Sequence, residues 1–263
     1  MPPRTAVEGV FLDIDGVLTV SWEPLPRATE TVAWLRRSNV PFLLVTNTTA
    51  PGRRGVADLL RRSGFDVTPD EIVTAAVATA AYLRSEHRGA RCFLLGEPEL
   101  GDDFEGVQFV QEDAEVVVVA GADDAFTWAN LNKALQILRS GAALVAMHRN
   151  MTWMTAEGLK LDAGAFVLGL EEAAGVRATV VGKPNADFLH QALRIIGLDA
   201  ASVAMVGDDV ENDVIAAQRV GLTGVLVRTG KFDREQLKKA LEAPDHVIDS
   251  VAELPEVLET LRK

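Results

Sequence analysis

The stretch Phe11-Leu12-Asp13-Ile14-Asp15-Gly16-Val17-Leu18 ends an apolar run with two carboxylates one residue apart. In an extended backbone successive side chains alternate, so Asp13 and Asp15 project the same way, two strand rises of ~3.3 Å apart. Two carboxylates held on one side at the mouth of a buried strand repel each other unless a cation or a proton sits between them. Gly16 lets the backbone turn there or approach a ligand closely. Taken alone, the stretch also fits a strand-end turn with solvated acids, so its reading depends on what the other strand ends carry.

Working outward, the segment from Arg27 to Arg37 carries Ala28, Val32 and Leu35 at helical spacing, and Val40-Pro41-Phe42-Leu43-Leu44-Val45 is an apolar run of strand length that stops at Thr46-Asn47-Thr48-Thr49. Arg53 to Arg62 predicts a basic helix with Val56, Leu59 and Leu60 inward and Gly64 placed to end it. Strand, helix, strand, helix implies a parallel sheet. From about Thr74 the texture changes. An alanine-rich helix (Ala75 to Leu83), a strand around Cys92 to Leu95 and an acidic, glycine-bearing loop from Gly96 to Gly106 come first. A buried strand Val116 to Ala120, a helix Phe126 to Leu138, a strand Ala143 to Met147 and a helix Gly164 to Ala174 follow, making a second α/β unit. The earlier pattern then resumes: Thr179-Val180-Val181 runs into Gly182-Lys183-Pro184-Asn185, followed by a helix from Ala186 to Ile196 and a strand Ser202 to Val206. That strand exits into Gly207-Asp208-Asp209-Val210-Glu211-Asn212-Asp213, before a helix through Arg219 and Gly221. Val225-Leu226-Val227 and helices around Gln236 to Leu241 and Val251 to Leu261 complete the sheet and its cover.

In an open parallel sheet, ligands bind outside the carboxyl ends of the strands, so the polar groups at those ends are read together. They are Asp13 and Asp15, Thr46 and Asn47, Lys183, and Asp208, Asp209 and Asp213. Converging carboxylates with nothing to offset them are strongly unfavourable, and oxygen ligands in that number suit a hard divalent ion such as Mg²⁺. A lysine and a hydroxyl, added to that cation, suit the non-bridging oxygens of a phosphoryl group. Each piece has a plainer reading: Lys183 as a solvated loop cation, Thr46 as a cap, the acids from Asp208 to Asp213 as a first helical turn complementing the dipole. Jointly, those readings require four coincidences at one edge of one sheet.

Composition bounds the alternatives. A chain of 263 residues, 48% apolar, is long enough for one large domain or two modest ones with packed cores. Its formal charge of -12 disfavours nucleic-acid phosphates and anionic membrane surfaces as main partners. The single cysteine, Cys92, excludes an intramolecular disulfide, reads as a buried strand thiol and fits a reducing compartment. The N-terminal apolar segment is interrupted by Asp13, which fits neither a signal peptide nor a membrane span, so a cytoplasmic protein is expected. Gly224 through Gly230-Lys231 is no P-loop, having one residue too many between the glycines and Phe232 where Ser or Thr is required. No Gly-x-Gly-x-x-Gly follows a strand, and no two histidines are spaced to share a zinc.

Asp13-Ile14-Asp15-Gly16-Val17-Leu18, Thr46-Asn47, Gly182-Lys183-Pro184 and Gly207-Asp208-Asp209 to Asp213 resemble, in order and spacing, the four motifs of the haloacid dehalogenase superfamily. His148-Arg149-Asn150, Leu159 to Phe166 and Val227-Arg228-Thr229-Gly230-Lys231 look like the subgroup IIA that holds phospholysine/phosphohistidine inorganic pyrophosphate phosphatases and NagD-like phosphatases. The likeness covers essentially the whole chain. It implies an α/β fold: a Rossmann-like parallel-sheet core, residues 1–74 and 180–263, with a smaller α/β cap of the C2 type inserted at 75–179.

The resemblance further implies roles. Asp13 would be the nucleophile, giving an aspartyl-phosphate, and Asp15 the general acid and base in turn. Thr46 and the backbone of Asn47 would bind the phosphoryl oxygens, with Lys183 neutralising charge there and restraining Asp13. Mg²⁺ would be held by Asp13, the backbone carbonyl of Asp15 and Asp208, with Asp213 orienting them and Asp209 acting through water or from behind them. His148, Asn150 and Asp162 are the candidate cap contacts to substrate. In the family the cap closes over the site, and many members dimerise through it, so a homodimer is among the implications. The expected activity is Mg²⁺-dependent hydrolysis of a small phosphorylated metabolite, with no organic cofactor; phosphoramidate and pyrophosphate are within the substrate range implied. A phosphotransferase or phosphomutase shares the intermediate. A receiver domain is half this size and carries its acids side by side, while a silent phosphate-binding module leaves Asp15 without a duty.

Overall fold

Residues 6–49, 51–121, 124–155 and 158–261 are described by the computed structural model. The chain divides into two units. The first comprises Met1–Thr46, Val56–Val73 and Lys183–Lys263; the second comprises Asn47–Gly55 and Thr74–Gly182.

The first unit is built on a six-stranded sheet whose order from edge to edge is His246–Ile248, Thr223–Val227, Val203–Gly207, Gly9–Leu12, Phe42–Thr46 and Ile72–Thr74. The pairings of Gly9–Leu12 with both neighbours, and of Thr223–Val227 with both of its own, are parallel. Every residue of Gly9–Leu12, Phe42–Thr46 and Val203–Gly207 is buried, as strands covered on both faces require. The helix Ala28–Arg37 turns Ala28, Thr31, Val32 and Leu35 inward, one stripe at 3.6-residue spacing. Ala28, Val32 and Leu35 join Val10, Leu12, Leu44, Val206 and Val225 in one core, each fully buried large apolar side chain contributing ~1.5–3 kcal/mol.

Strand order locates the crevice. From Gly9–Leu12 the chain goes to one neighbour, Phe42–Thr46, and later reaches the other, Val203–Gly207. The order therefore reverses at Gly9–Leu12, and the carboxyl ends flanking that reversal are where a parallel sheet offers a binding site.

The second unit has its own parallel sheet, in the order Ala178–Val180, Ala143–Ala146, Val116–Val119, Arg91–Leu95 and Gln108–Phe109. The helices Trp128–Arg139 and Ala163–Ala174 pack Ala134, Leu138, Val167 and Leu170 against Val117, Val119 and Leu144. Among the described residues no helix is long and apolar enough to cross a membrane.

Several expectations change. The strand at Thr179-Val180-Val181, read as the return of the first pattern, is the edge of the second sheet, with Ala178 opposite Leu144. Its short apolar run suits either sheet, and only pairing decides. Residues 47–55, within the expected core segment, group with the second unit. There Thr49 Oγ1 accepts the Gly121 N–H at 2.9 Å and Asp103 accepts the Arg53 N–H at 2.8 Å. The loop from Gly96 to Gly106 contains a 3₁₀ helix, Pro98–Phe104. The strands Ile72–Thr74, Gln108–Phe109 and His246–Ile248, and the hairpins Thr19–Val20 with Glu23–Pro24 and Thr152–Thr155 with Gly158–Leu161, were not anticipated.

Candidate active site

The site of the first unit is assembled from strand ends. Asp13 follows the central strand, its N–H donating to the Val206 carbonyl at 2.9 Å, and Asp208 follows the neighbouring strand Val203–Gly207. Thr46 is the buried last residue of Phe42–Thr46. Asp213 sits in a turn of π-helix, Val210–Ile215, that begins directly after Asp209. Lys183 ties these ends together: its Nζ donates to Asp13 Oδ1 at 2.8 Å, Asp213 Oδ1 at 2.7 Å and the Val45 carbonyl at 3.1 Å. Asp13, Lys183, Asp208 and Asp213 are all buried.

One carboxylate is packed between two glycines. Gly16 has φ +84° and Gly230 φ +59°, and a Cβ on either would lie 1.9 or 2.0 Å from Asp208 Oδ2. Both positions therefore require the residue that takes a left-handed conformation without a side chain. The Lys231 N–H donates to that Oδ2 at 2.6 Å, while Asp208 Oδ1 is buried with no hydrogen-bond partner.

The electrostatics follow from three buried carboxylates facing one buried ammonium. Burial pushes the Asp208 carboxyl up to about 8, with the charges of Asp13 and Asp213 adding and the Lys231 N–H opposing. Burial also raises Asp213, to about 6, against the pull of Lys183. Burial pulls the Lys183 ammonium down, but Asp13 and Asp213 outweigh it and its pKa is raised. Carboxylate oxygens of Asp13, Asp208 and Asp213 lie within 4.8 Å of one another. Hard oxygen donors at that spacing, one of them an unsatisfied buried oxygen, fit a divalent cation.

Asp15 is exposed and lies outside that cluster. Asp209 does not join it either: its Oδ1 caps the Glu211 and Asn212 N–H groups and its Oδ2 accepts from the Asn212 side chain at 2.7 Å. Asn47, next along the chain from Thr46, groups with the second unit. In that unit His148 and Asp162 are buried, with His148 Nε2 3.7 Å from Asp162 Oδ1. The Asn150 N–H donates to His148 Nδ1 at 3.3 Å.

The sequence ties Val227 to Lys231 to the subgroup resemblance but assigns Thr229, Gly230 and Lys231 no role at the site. Lys231 is exposed as a residue, yet partial desolvation lowers the pKa of its ammonium; Asp13, Asp208, Asp213 and Asp15 outweigh this, and the group is raised. The signal was present, because this segment follows the strand Thr223–Val227 and falls under the same strand-end rule as the acids.

A parallel sheet that gathers acids, a lysine and a threonine at its order reversal, with a second α/β unit inserted, defines the class: a Rossmann-like core with a smaller inserted α/β cap. Two family profiles match, one described as haloacid dehalogenase-like hydrolase over residues 10–110 and one as HAD-hydrolase-like over residues 180–254. The haloacid dehalogenase-like hydrolase domain-containing protein 2 of Homo sapiens is 36% identical over 253 residues, 94% of this chain and 96% of that protein. The phospholysine phosphohistidine inorganic pyrophosphate phosphatase of Rattus norvegicus is 34% identical over 260 residues, 97% of this chain and 95% of that protein. The crystal structure of a 4-nitrophenylphosphatase from Thermotoga maritima superposes with a TM-score of 0.89 at 31% identity, covering 96% of this chain and 97% of that one. The chain belongs to the haloacid dehalogenase-like hydrolases.

Proposed function

We propose that the chain is a Mg²⁺-dependent phosphatase that hydrolyses a small phosphorylated metabolite through an aspartyl-phosphate on Asp13. The observation that carries this is the Lys183 ammonium shared between Asp13 and Asp213, beside an Asp208 whose Oδ1 has no partner. These acids need a divalent cation to be ionised together, and that cation with Lys183 would then offset the charge of an anionic substrate. Asp13 and Asp208 would hold Mg²⁺ through carboxylate oxygens, together with the Asp15 carbonyl, and the ion would offset charge on the phosphoryl oxygens. Thr46 and Lys183 bind and orient the same oxygens.

In the first step a carboxylate oxygen of Asp13 bonds to phosphorus, the bond from phosphorus to the leaving oxygen breaks, and Asp15 gives that oxygen its proton. In the second, Asp15 takes a proton from water as the water oxygen bonds to phosphorus. The bond to Asp13 breaks, releasing phosphate and restoring both carboxyl groups. The exposure of Asp15, against the burial of Asp13, supports this division: the proton carrier is open to water while the nucleophile is held by Lys183. A cytoplasmic setting belongs to the same reading and is supported by the single buried thiol.

The test is hydrolysis of 4-nitrophenyl phosphate by the full chain with Mg²⁺, followed by a panel of phosphate monoesters, pyrophosphate and phosphoramidates. Turnover is expected to stop with EDTA and to be absent in Asp13→Asn. Metal-independent turnover, or an active Asp13→Asn, overturns the mechanism.

A further inference from the structure

The segment after the strand Thr223–Val227 touches both of the elements that carry acids. Thr229 Oγ1 donates to the Gly16 carbonyl at 2.5 Å, and two residues later the Lys231 N–H donates to Asp208 Oδ2 at 2.6 Å. Between them, a Cβ on Gly230 would lie 2.4 Å from the Gly16 Cα. The other backbone group of Gly16, its N–H, donates to the Thr19 carbonyl at 2.7 Å. The peptide plane before Gly16 is thus held by Thr19, and the plane after it by Thr229 together with a long local hydrogen bond from the Val17 N–H to the Ile14 carbonyl at 3.4 Å. Glycine has the widest backbone freedom of any residue, and this one stands next to Asp15, whose side chain is exposed. Without the Thr229 hydroxyl, the plane following Gly16 loses a distant anchor that the sequence-local hydrogen bonds do not replace.

We propose that Thr229 is a positioning residue: its hydroxyl fixes the Gly16 turn and so holds Asp15 in register with Asp13 and Asp208. The proposal rests on the phosphatase reading for its kinetic consequence, and on the hydrogen bond itself for its effect on the metal site. Valine keeps the branched shape of threonine and removes the donor, whereas serine keeps the donor and removes the methyl group. Thr229→Val therefore separates hydrogen bonding from packing.

The experiment compares the wild-type chain, Thr229→Val and Thr229→Ser in three measurements: turnover of 4-nitrophenyl phosphate, Mg²⁺ binding by calorimetry without substrate, and melting temperature. Thr229→Val is expected to lose about 10-fold or more in kcat, since small misplacements of reacting groups are costly. KM should stay within about 2-fold, because ground-state binding is not what the hydroxyl supports. Mg²⁺ affinity should fall by about 10-fold, the usual scale for losing a group that orients a ligand. Thr229→Ser should recover both. A Thr229→Val protein with wild-type kcat and Mg²⁺ affinity overturns the proposal, as does a loss that Thr229→Ser shares in proportion to its melting temperature. If the wild-type chain shows no Mg²⁺-dependent turnover, the phosphatase reading fails, and the calorimetric comparison alone then decides the role of Thr229.

Discussion

Lys183 Nζ donates to Asp13 Oδ1 at 2.8 Å, and both side chains are buried. The same ammonium holds Asp213, so it is the buried counter-charge of both carboxylates. Removing one partner of a buried pair leaves the other uncompensated, which costs more than the pair is worth. Lys183→Met is therefore expected to lower unfolding free energy by ~3–5 kcal/mol and to abolish turnover. Chemical denaturation of the metal-free protein checks this, and an unchanged midpoint would show that the acids are already neutral.

Asp13→Asn acts in the opposite direction on stability. It removes one of three clustered carboxylates while leaving an acceptor for Lys183. The metal-free variant should melt at or above the wild-type temperature, and the stabilisation by Mg²⁺ should shrink. A variant that melts well below wild type would show that the Asp13 charge is needed for the fold.

The raised carboxyls give the metal-free protein a defined pH dependence. An unfolded Asp titrates near 3.8, whereas folded Asp208 holds its proton to about 8 and Asp213 to about 6. Between those values the folded chain binds protons that the unfolded chain has lost, so stability falls as pH rises. Melting temperature in EDTA should decline across this window. The decline should flatten in Asp208→Asn, and Mg²⁺, which competes with those protons, should stabilise more at high pH than at low. Melting curves that are independent of pH across the window would contradict the cluster.

Gly230 tests the cradle around Asp208. An alanine there would place Cβ 2.0 Å from Asp208 Oδ2, at a φ of +59°. The left-handed conformation alone costs roughly 1–2 kcal/mol, and Asp208 must also move. Gly230→Ala should lower both melting temperature and Mg²⁺ affinity. Retention of wild-type affinity in calorimetry would show that the segment moves aside freely.

Cys92 should be chemically silent. Burial pushes its thiol up to about 11, with Glu115 adding, and at neutral pH little thiolate is present to react. An aromatic disulfide reagent should titrate the thiol only after unfolding; stoichiometric labelling of the native chain would contradict its burial.

Asp13, Thr46, Lys183 and Asp208, all buried, were legible as candidates because each closes an apolar run, and a polar group at the end of a buried strand is conspicuous in one dimension; Asp213 was legible from the acidic run it closes. The alternation of strands and helices was legible for the same reason, since hydrophobic period reports local geometry. Short strands such as Ile72–Thr74 and His246–Ile248 were not, because three residues carry no period.

The sequence by itself determined which residues are candidates for the site, the parallel α/β class and the presence of an inserted unit, all of which depend on residue type and local spacing. Tertiary structure alone decided which sheet received Ala178–Val180, that Asp209 caps a helical turn instead of joining the acid cluster, and that Thr229 reaches the Gly16 carbonyl. Those outcomes depend on hydrogen-bond pairing between segments distant in the chain. A short apolar run, a second aspartate and a threonine each have several adequate local partners, and packing selects among them.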